Sequence, residues 1–346
     1  MPSTQCDAPP AWGRSRAAKA ALAAALLLLL QSCSAPPPPA APPEPAAPAP
    51  LTQPSDVPTL QGRMLADAQE YPWSAIGRLN LAGRGFCNGI VIGPQQVLTQ
   101  ANCLYDARRG RWYPPQELHF IAAYQRDDYL ADSPVAGFTV APGYTPRAGA
   151  SLANLTSNWA LVTLEAPIGR KTGWLGLQWE TTELQQAWQA GRAAYLRAGY
   201  RSDLPHAVNL HFGCNEADGV VRVCDPTPRE LALPPFIVIG GELRVLAEFY
   251  LALPRQSDPL PRLTGHSLHD WRLGAGQPPS EGPVGRAPTA TLERLLETLG
   301  YPVTGGDIAS AAAAFRRDRE LPAPGGADMR LLAELFNAAQ RDIPAH

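Results

Sequence analysis

The sequence predicts a mainly β chain that closes with a small helical segment, and three observations carry that prediction. Between Tyr71 and Leu253 the apolar residues come in short runs bounded by Gly and Pro, the signature of strands. After Thr289 the apolar spacing shifts to a helical period of about 3.6 residues. Ahead of both, Ser34 to Pro58 is dominated by Pro and Ala, a composition that builds no packed core.

A length of 346 residues fits about two domains with ample apolar content for a core. The formal net charge is −2, and only Lys19 and Lys171 among the 29 basic residues are lysine. That balance gives no reason to expect a nucleic-acid partner.

Taken in order, the chain opens on a targeting segment, residues 1–32. Arg14, Arg16 and Lys19 precede an apolar run from Ala20 to Leu30, shorter than the roughly 20 residues a bilayer span needs. Leu30-Gln31-Ser32-Cys33 follows and resembles the lipobox of bacterial lipoproteins. The resemblance implies export, acylation of Cys33, and a lipid anchor in the outer membrane facing the periplasm. Residues 33–58 then form an extended linker rising about 3.1 Å per residue.

The next region, residues 59–276, is organised around Phe86 to Leu104, FCNGIVIGPQQVLTQANCL. Ile90 to Ile92 and Val97 to Leu98 read as buried strands joined by a turn at Gly93-Pro94. Other strand-like runs are His119 to Ala123, Gly137 to Val140, Ala194 to Tyr200, Ala207 to Phe212, Gly219 to Cys224 and Phe236 to Leu253, the last with a hairpin at Gly240-Gly241.

Val97-Leu98-Thr99-Gln100-Ala101-Asn102-Cys103 resembles V-L-T-A-A-H-C of the trypsin-like serine proteases, and Asn158-Trp159-Ala160-Leu161-Val162-Thr163-Leu164 resembles their D-W-A-L-L-x-L. The resemblance implies a chymotrypsin-like double antiparallel β-barrel. It also implies that Asn102 stands where the family places its histidine and Asn158 where it places its aspartate. In register from Cys224-Asp225, Leu231 falls at the serine position and Arg229 replaces a glycine beside the oxyanion site. In such enzymes a hydroxyl attacks an acyl carbon, an imidazole takes its proton and a carboxylate orients the imidazole. A carboxamide has no usable basicity and leucine carries no nucleophile. Loss of the serine or histidine alone costs about 10⁶-fold in a well-studied case. An aspartate left without its histidine would be a buried unpaired charge, which Asn158 avoids. The expected reading is a pseudoprotease with no catalytic residues and no cofactor. An active endopeptidase with another arrangement is the alternative.

With Cys6 in the targeting segment and Cys33 acylated, four cysteines remain, and arithmetic alone allows three pairings. Local order and the family resemblance favour Cys87 with Cys103 and Cys214 with Cys224. A Cys₄ zinc site lacks the C-x₂-C spacing, and His266 and His269 with Asp270 would point to opposite faces of a strand, so no metal is expected. Trp159, Trp174, Trp179 and Trp188 are buried aromatics or the lining of a groove.

A second Pro/Gly-rich stretch, residues 277–288, leads to residues 289–346. Leu292, Leu295, Leu296 and Leu299 share one helical face, as do Ile308, Ala311, Ala312 and Phe315, and then Leu331, Leu332, Leu335 and Phe336. Asp307 and Asp328 occupy N-cap positions and Gly300 a stop. Leu292 to Tyr301, Ala311 to Phe315 and Gly325 to Asp328 resemble the peptidoglycan-binding-like module, with a shortened turn near Asp307 and Arg316 in place of a glutamine. That resemblance implies peptidoglycan as a partner, with Tyr301 and Arg316 as candidate glycan contacts, while the barrels present a surface or groove to an envelope protein or peptide. The alternative is that the helices dock protein rather than glycan.

Overall fold

The computed structural model describes residues 62–148, 151, 154, 157–178, 182–212, 216–217, 220–221, 233–246, 287–322 and 326–342. Cys33, Cys214, Cys224, Leu231, Trp179, His266 and His269 lie outside them.

The first half is a closed antiparallel barrel of β2 (Ile76–Leu81), β3 (Phe86–Val91), β4 (Gln96–Thr99), β7 (Leu118–Ala122), β8 (Ala131–Val140) and β9 (Ala160–Leu164). Its strand order is β2-β3-β4-β9-β8-β7, with β7 returning to β2. Ile76, Leu79, Ile90, Leu98, Phe120 and Val162 fill the interior. Two glycines make room for the Phe120 ring: a Cβ on Gly77 would stand 2.3 Å from it and one on Gly89 2.8 Å. Small residues opposite a large one let the barrel close at crystal-like density.

The second half is a six-stranded sheet in the order β1-β12-β11-β15-β16-β10. Its strands are β1 (Arg63–Ala66), β10 (Gly176–Gln178), β11 (Ala193–Arg201), β12 (Leu204–Phe212), β15 (Pro235–Ile239) and β16 (Glu242–Leu246). All its pairings are antiparallel except β10 with β16. The turn between β15 and β16 has positive φ at Gly240 (60°) and Gly241 (80°), as the Gly-Gly pair foretells. Two short hairpins complete the strands, β5 (Tyr105–Asp106) with β6 (Arg111–Trp112) and β13 (Glu216–Ala217) with β14 (Val220–Val221).

Among the described residues, what reads from sequence as an all-β region is interrupted by the single turn α1 (Gly169–Thr172) and by α2 (Thr182–Gln189). In α2, Leu184 and Ala187 are buried against Ala193, Tyr195 and Ile237, and Trp188 meets Tyr195 edge-on with ring centroids 5.6 Å apart. With only two buried positions in one polar stretch, the helical period is too brief to read from sequence.

Barrel and sheet are joined by named contacts. The Asn88 side chain accepts from the Tyr200 N–H at 2.7 Å and donates to the Tyr200 carbonyl at 3.1 Å. Beside it the Arg78 guanidinium lies between the Phe86 and Tyr124 rings, at 4.3 and 4.6 Å, and donates to the Pro205 carbonyl.

Three helices follow: α3 (Thr289–Thr298), α4 (Ile308–Asp318) and α5 (Met329–Asp342). Their expected apolar faces are buried except Leu299, which lies half-buried just past α3; Gly300 has φ 88°, and the Asp307 and Asp328 carboxylates accept from the N–H groups of Ser310 and Leu331. These helices share the core of the strands. Phe336 of α5 packs on Phe212 of β12, rings 4.9 Å apart, and Asn337 donates to the carbonyls of Gly191 and Ala193. Trp73, fully buried, donates its indole N–H to Thr291 of α3 at 2.9 Å, and Arg294 donates to the Leu65 carbonyl on β1.

Candidate functional site at the end of the first barrel

Strand β4 ends at Thr99, whose hydroxyl donates to the Asn88 carbonyl on β3 at 2.8 Å. The chain then enters a 3-10 turn, Ala101–Leu104, with Ala101, Cys103 and Leu104 buried and Asn102 exposed. Cys103 is bonded to Cys87 on β3, their Cα atoms 6.1 Å apart, as the resemblance implied. A covalent loop of this length restricts the unfolded chain by about 3 kcal/mol in the chain-entropy account.

Asn158 reaches the same turn from the segment leading into β9. Its backbone carbonyl accepts from Ala101 N–H at 3.3 Å, and its side-chain Oδ1 accepts from Asn102 N–H at 2.8 Å. Asn102 and Asn158, far apart in sequence, therefore meet at one end of the barrel. Both carboxamides stay neutral across the accessible pH range, so the pair supplies hydrogen-bond donors and acceptors but no titrating group. Leu231 is outside the described residues. Trp159, next in the chain, is buried, which fits the packing role rather than a groove lining.

Sequence reasoning missed the hairpin that extends from this turn. Asp106 on β5 is buried; its side chain accepts from the N–H groups of Arg108 and Arg109, each at 3.1 Å, and pairs with the Arg84 guanidinium. Burial alone would push its carboxyl up; the Arg109 N–H, Arg84 and the Arg108 N–H outweigh that and hold it below the usual carboxylate range. The hairpin's aromatic side is fixed by Trp112, 5.2 Å from Tyr105 and 6.2 Å from Phe138. The available signal was Arg108-Arg109-Gly110-Arg111.

Of the candidate glycan residues, Arg316 lies on α4 and Tyr301 in the segment that follows α3. Arg316 is 3% exposed and pairs with Glu334 at 2.7 Å across α4 and α5, with Asp328 at 3.5 Å. Tyr301 is half-buried, edge-on to Phe315 at 5.4 Å. A histidine–carboxylate pair, His119 with Asp132 at 2.8 Å, stands on β7 and β8. The adjacent Ser133 hydroxyl is buried and bonded to Pro134 and Ala166. Among the described residues no group of three or more metal-ligating side chains occurs, and no helix is long and apolar enough to cross a membrane.

Residues 61–213 match the Trypsin family model. Among solved structures the chain is similar to a Glu endopeptidase in complex with MPD, at 19% identity over 46% of this chain and 71% of that one, TM-score 0.36. It is also similar to the Vibrio cholerae VesB protease, at 18% identity over 43% of each chain, TM-score 0.32. A scabies mite inactivated protease paralogue matches at 14% identity over 44% of this chain and 60% of that one, TM-score 0.32. The stretch 61–213 is thus trypsin-like, part of a mainly β chymotrypsin-like fold whose sheet runs on to Leu246 and which a helical C-terminal region follows.

Proposed function

We propose that this chain is a trypsin-like serine protease homologue that does not cleave peptides and acts instead as a binding protein of the bacterial envelope, anchored through acylated Cys33. The observation that carries this reading is the meeting of Asn102 and Asn158 at the end of β4. A working site needs an imidazole oriented by a carboxylate there, and two carboxamides supply neither. His119 and Asp132 are no substitute, since the nearby Ser133 hydroxyl faces inward and is already bonded.

The test is direct. The purified full chain should leave casein intact and resist a fluorophosphonate probe; labelling of a serine would overturn the reading. Export and anchoring are tested by Cys33→Ala, which should move the protein from the membrane fraction to the soluble periplasm.

The helices are the proposed wall-binding element, on their resemblance to peptidoglycan-binding modules. Because Arg316 is buried in an ion pair, glycan contact would fall to exposed side chains around Tyr301. Retention of the full chain on isolated sacculi, released by soluble muropeptides, is the expected result. Retention that muropeptides do not release would favour protein docking by the same helices.

A further inference from the structure

The turn Ala107–Arg111 is fixed and strongly cationic, and it follows Asn102 along the chain. It begins within five residues of Asn102, a reach of at most about 20 Å at some 3.3 Å per residue. Asp106 holds it from below: its side chain receives two consecutive backbone N–H groups and its carbonyl receives the Gly110 N–H at 2.8 Å. Gly110 takes φ 67°, and the Arg147 guanidinium crosses the turn so closely that a Cβ on Gly110 would stand 2.6 Å from its Nη2.

Five arginines converge here, Arg84, Arg108, Arg109, Arg111 and Arg147, against the carboxylates of Asp106 and Glu117. Arg84 and Arg109 engage Asp106, while Arg109 and Arg111 share Glu117 at 3.3 and 3.2 Å. Arg108 and Arg147 are exposed. The local charge is therefore strongly positive in a chain whose net charge is −2.

We propose that this arginine turn is a docking site for an acidic polypeptide segment, which would give the proposed binding protein its partner chemistry; the inference rests on that reading. Guanidinium groups are suited to planar two-point contacts with carboxylates, and Glu117 already pairs with two of these arginines, one oxygen to each. A turn held by Asp106 presents them with little ordering cost. The size of the patch favours a short peptide over a long polyanion. Fields fall off within about 8 Å at physiological salt, so a short acidic segment feels only the turn, whereas a long polyanion also meets the negative remainder of the molecule.

The experiment uses the full chain and fluorescence anisotropy with a labelled ten-residue Asp/Glu-rich peptide, a Lys-rich peptide of equal length, and heparin as competitor. Saturable binding of the acidic peptide alone is expected, weakening with salt and weakening by about tenfold or more in Arg108→Glu/Arg147→Glu. The charge-removing pair Arg108→Gln/Arg147→Gln should weaken it less, and Arg170→Glu/Arg192→Glu, elsewhere on the surface, should not. No saturable binding, equal loss in the remote pair, or heparin bound while the peptide is not would overturn the proposal. Peptide binding by a chain that cleaves casein would overturn only the inactive reading. Failure to bind by a chain inert to the fluorophosphonate probe would overturn only this one.

Discussion

At the scale of single residues, Asn88 and Gly199 show how closely barrel and sheet are fitted. Gly199 has φ 149°, and a Cβ there would stand 2.6 Å from Asn88 Oδ1, the atom that accepts from Tyr200 N–H. Gly199→Ala should therefore break both Asn88–Tyr200 bonds and destabilise the protein by about 1–3 kcal/mol, measured by denaturant unfolding. Asp106 gives a pH signature. Its carboxyl is held low in the fold, so its contribution is complete above the ordinary carboxylate pKa and is lost as pH falls through the depressed folded value. The stability difference between the native chain and Asp106→Asn should accordingly shrink on acidification. The Asn102 and Asn158 positions were legible because motif residues on two strands named them. The arginine turn was not, since nothing local says that Arg147 will fold across it.

At the scale of elements, α3 is capped from outside itself. Pro288 ahead of it offers no side-chain cap, and the Glu70 carboxylate accepts from Ala290 N–H at 3.1 Å instead. Glu70→Ala should cost about 1 kcal/mol by chemical denaturation, as loss of a cap does. Burial raises the Glu70 carboxyl, partly offset by the Ala290 N–H. A raised folded pKa contributes stability that is present at low pH and fades as pH rises through the folded value. Relative to Glu70→Gln, the native chain should thus gain stability as pH falls toward the ordinary value of 4.5. The helices were the most legible elements, because each carries apolar positions on one face, α4 and α5 start at an aspartate cap, and α3 stops at Gly300. Strand β1 and helix α2 were not. Arg63–Ala66 has too few residues to show a period, and its pairing partner is β12, far along the chain.

At the scale of the whole molecule, the Pro/Gly-rich stretch 277–288 suggests a separate module, yet the helices complete the core of the sheet. Trp73 and Phe212 face Thr291 and Phe336, and Arg294 reaches β1. Truncation after Pro288 would expose two large aromatic surfaces, each worth about 1.5–3 kcal/mol, in a protein whose whole stability is on the order of 5–15 kcal/mol. The truncated chain should melt at least about 10 °C lower in a calorimetric scan, or without a cooperative transition. Shared burial of this kind leaves no local trace in composition, because each helix looks amphipathic whatever it packs against.

The same arrangement dictates an order of events during biogenesis. Arg63–Ala66 is threaded out early, but the sheet it borders is sealed only when Met329–Asp342 arrives. A nascent polypeptide clipped before that last helix leaves Phe212 without its Phe336 cover, a greasy surface of the kind that chaperones and proteases find.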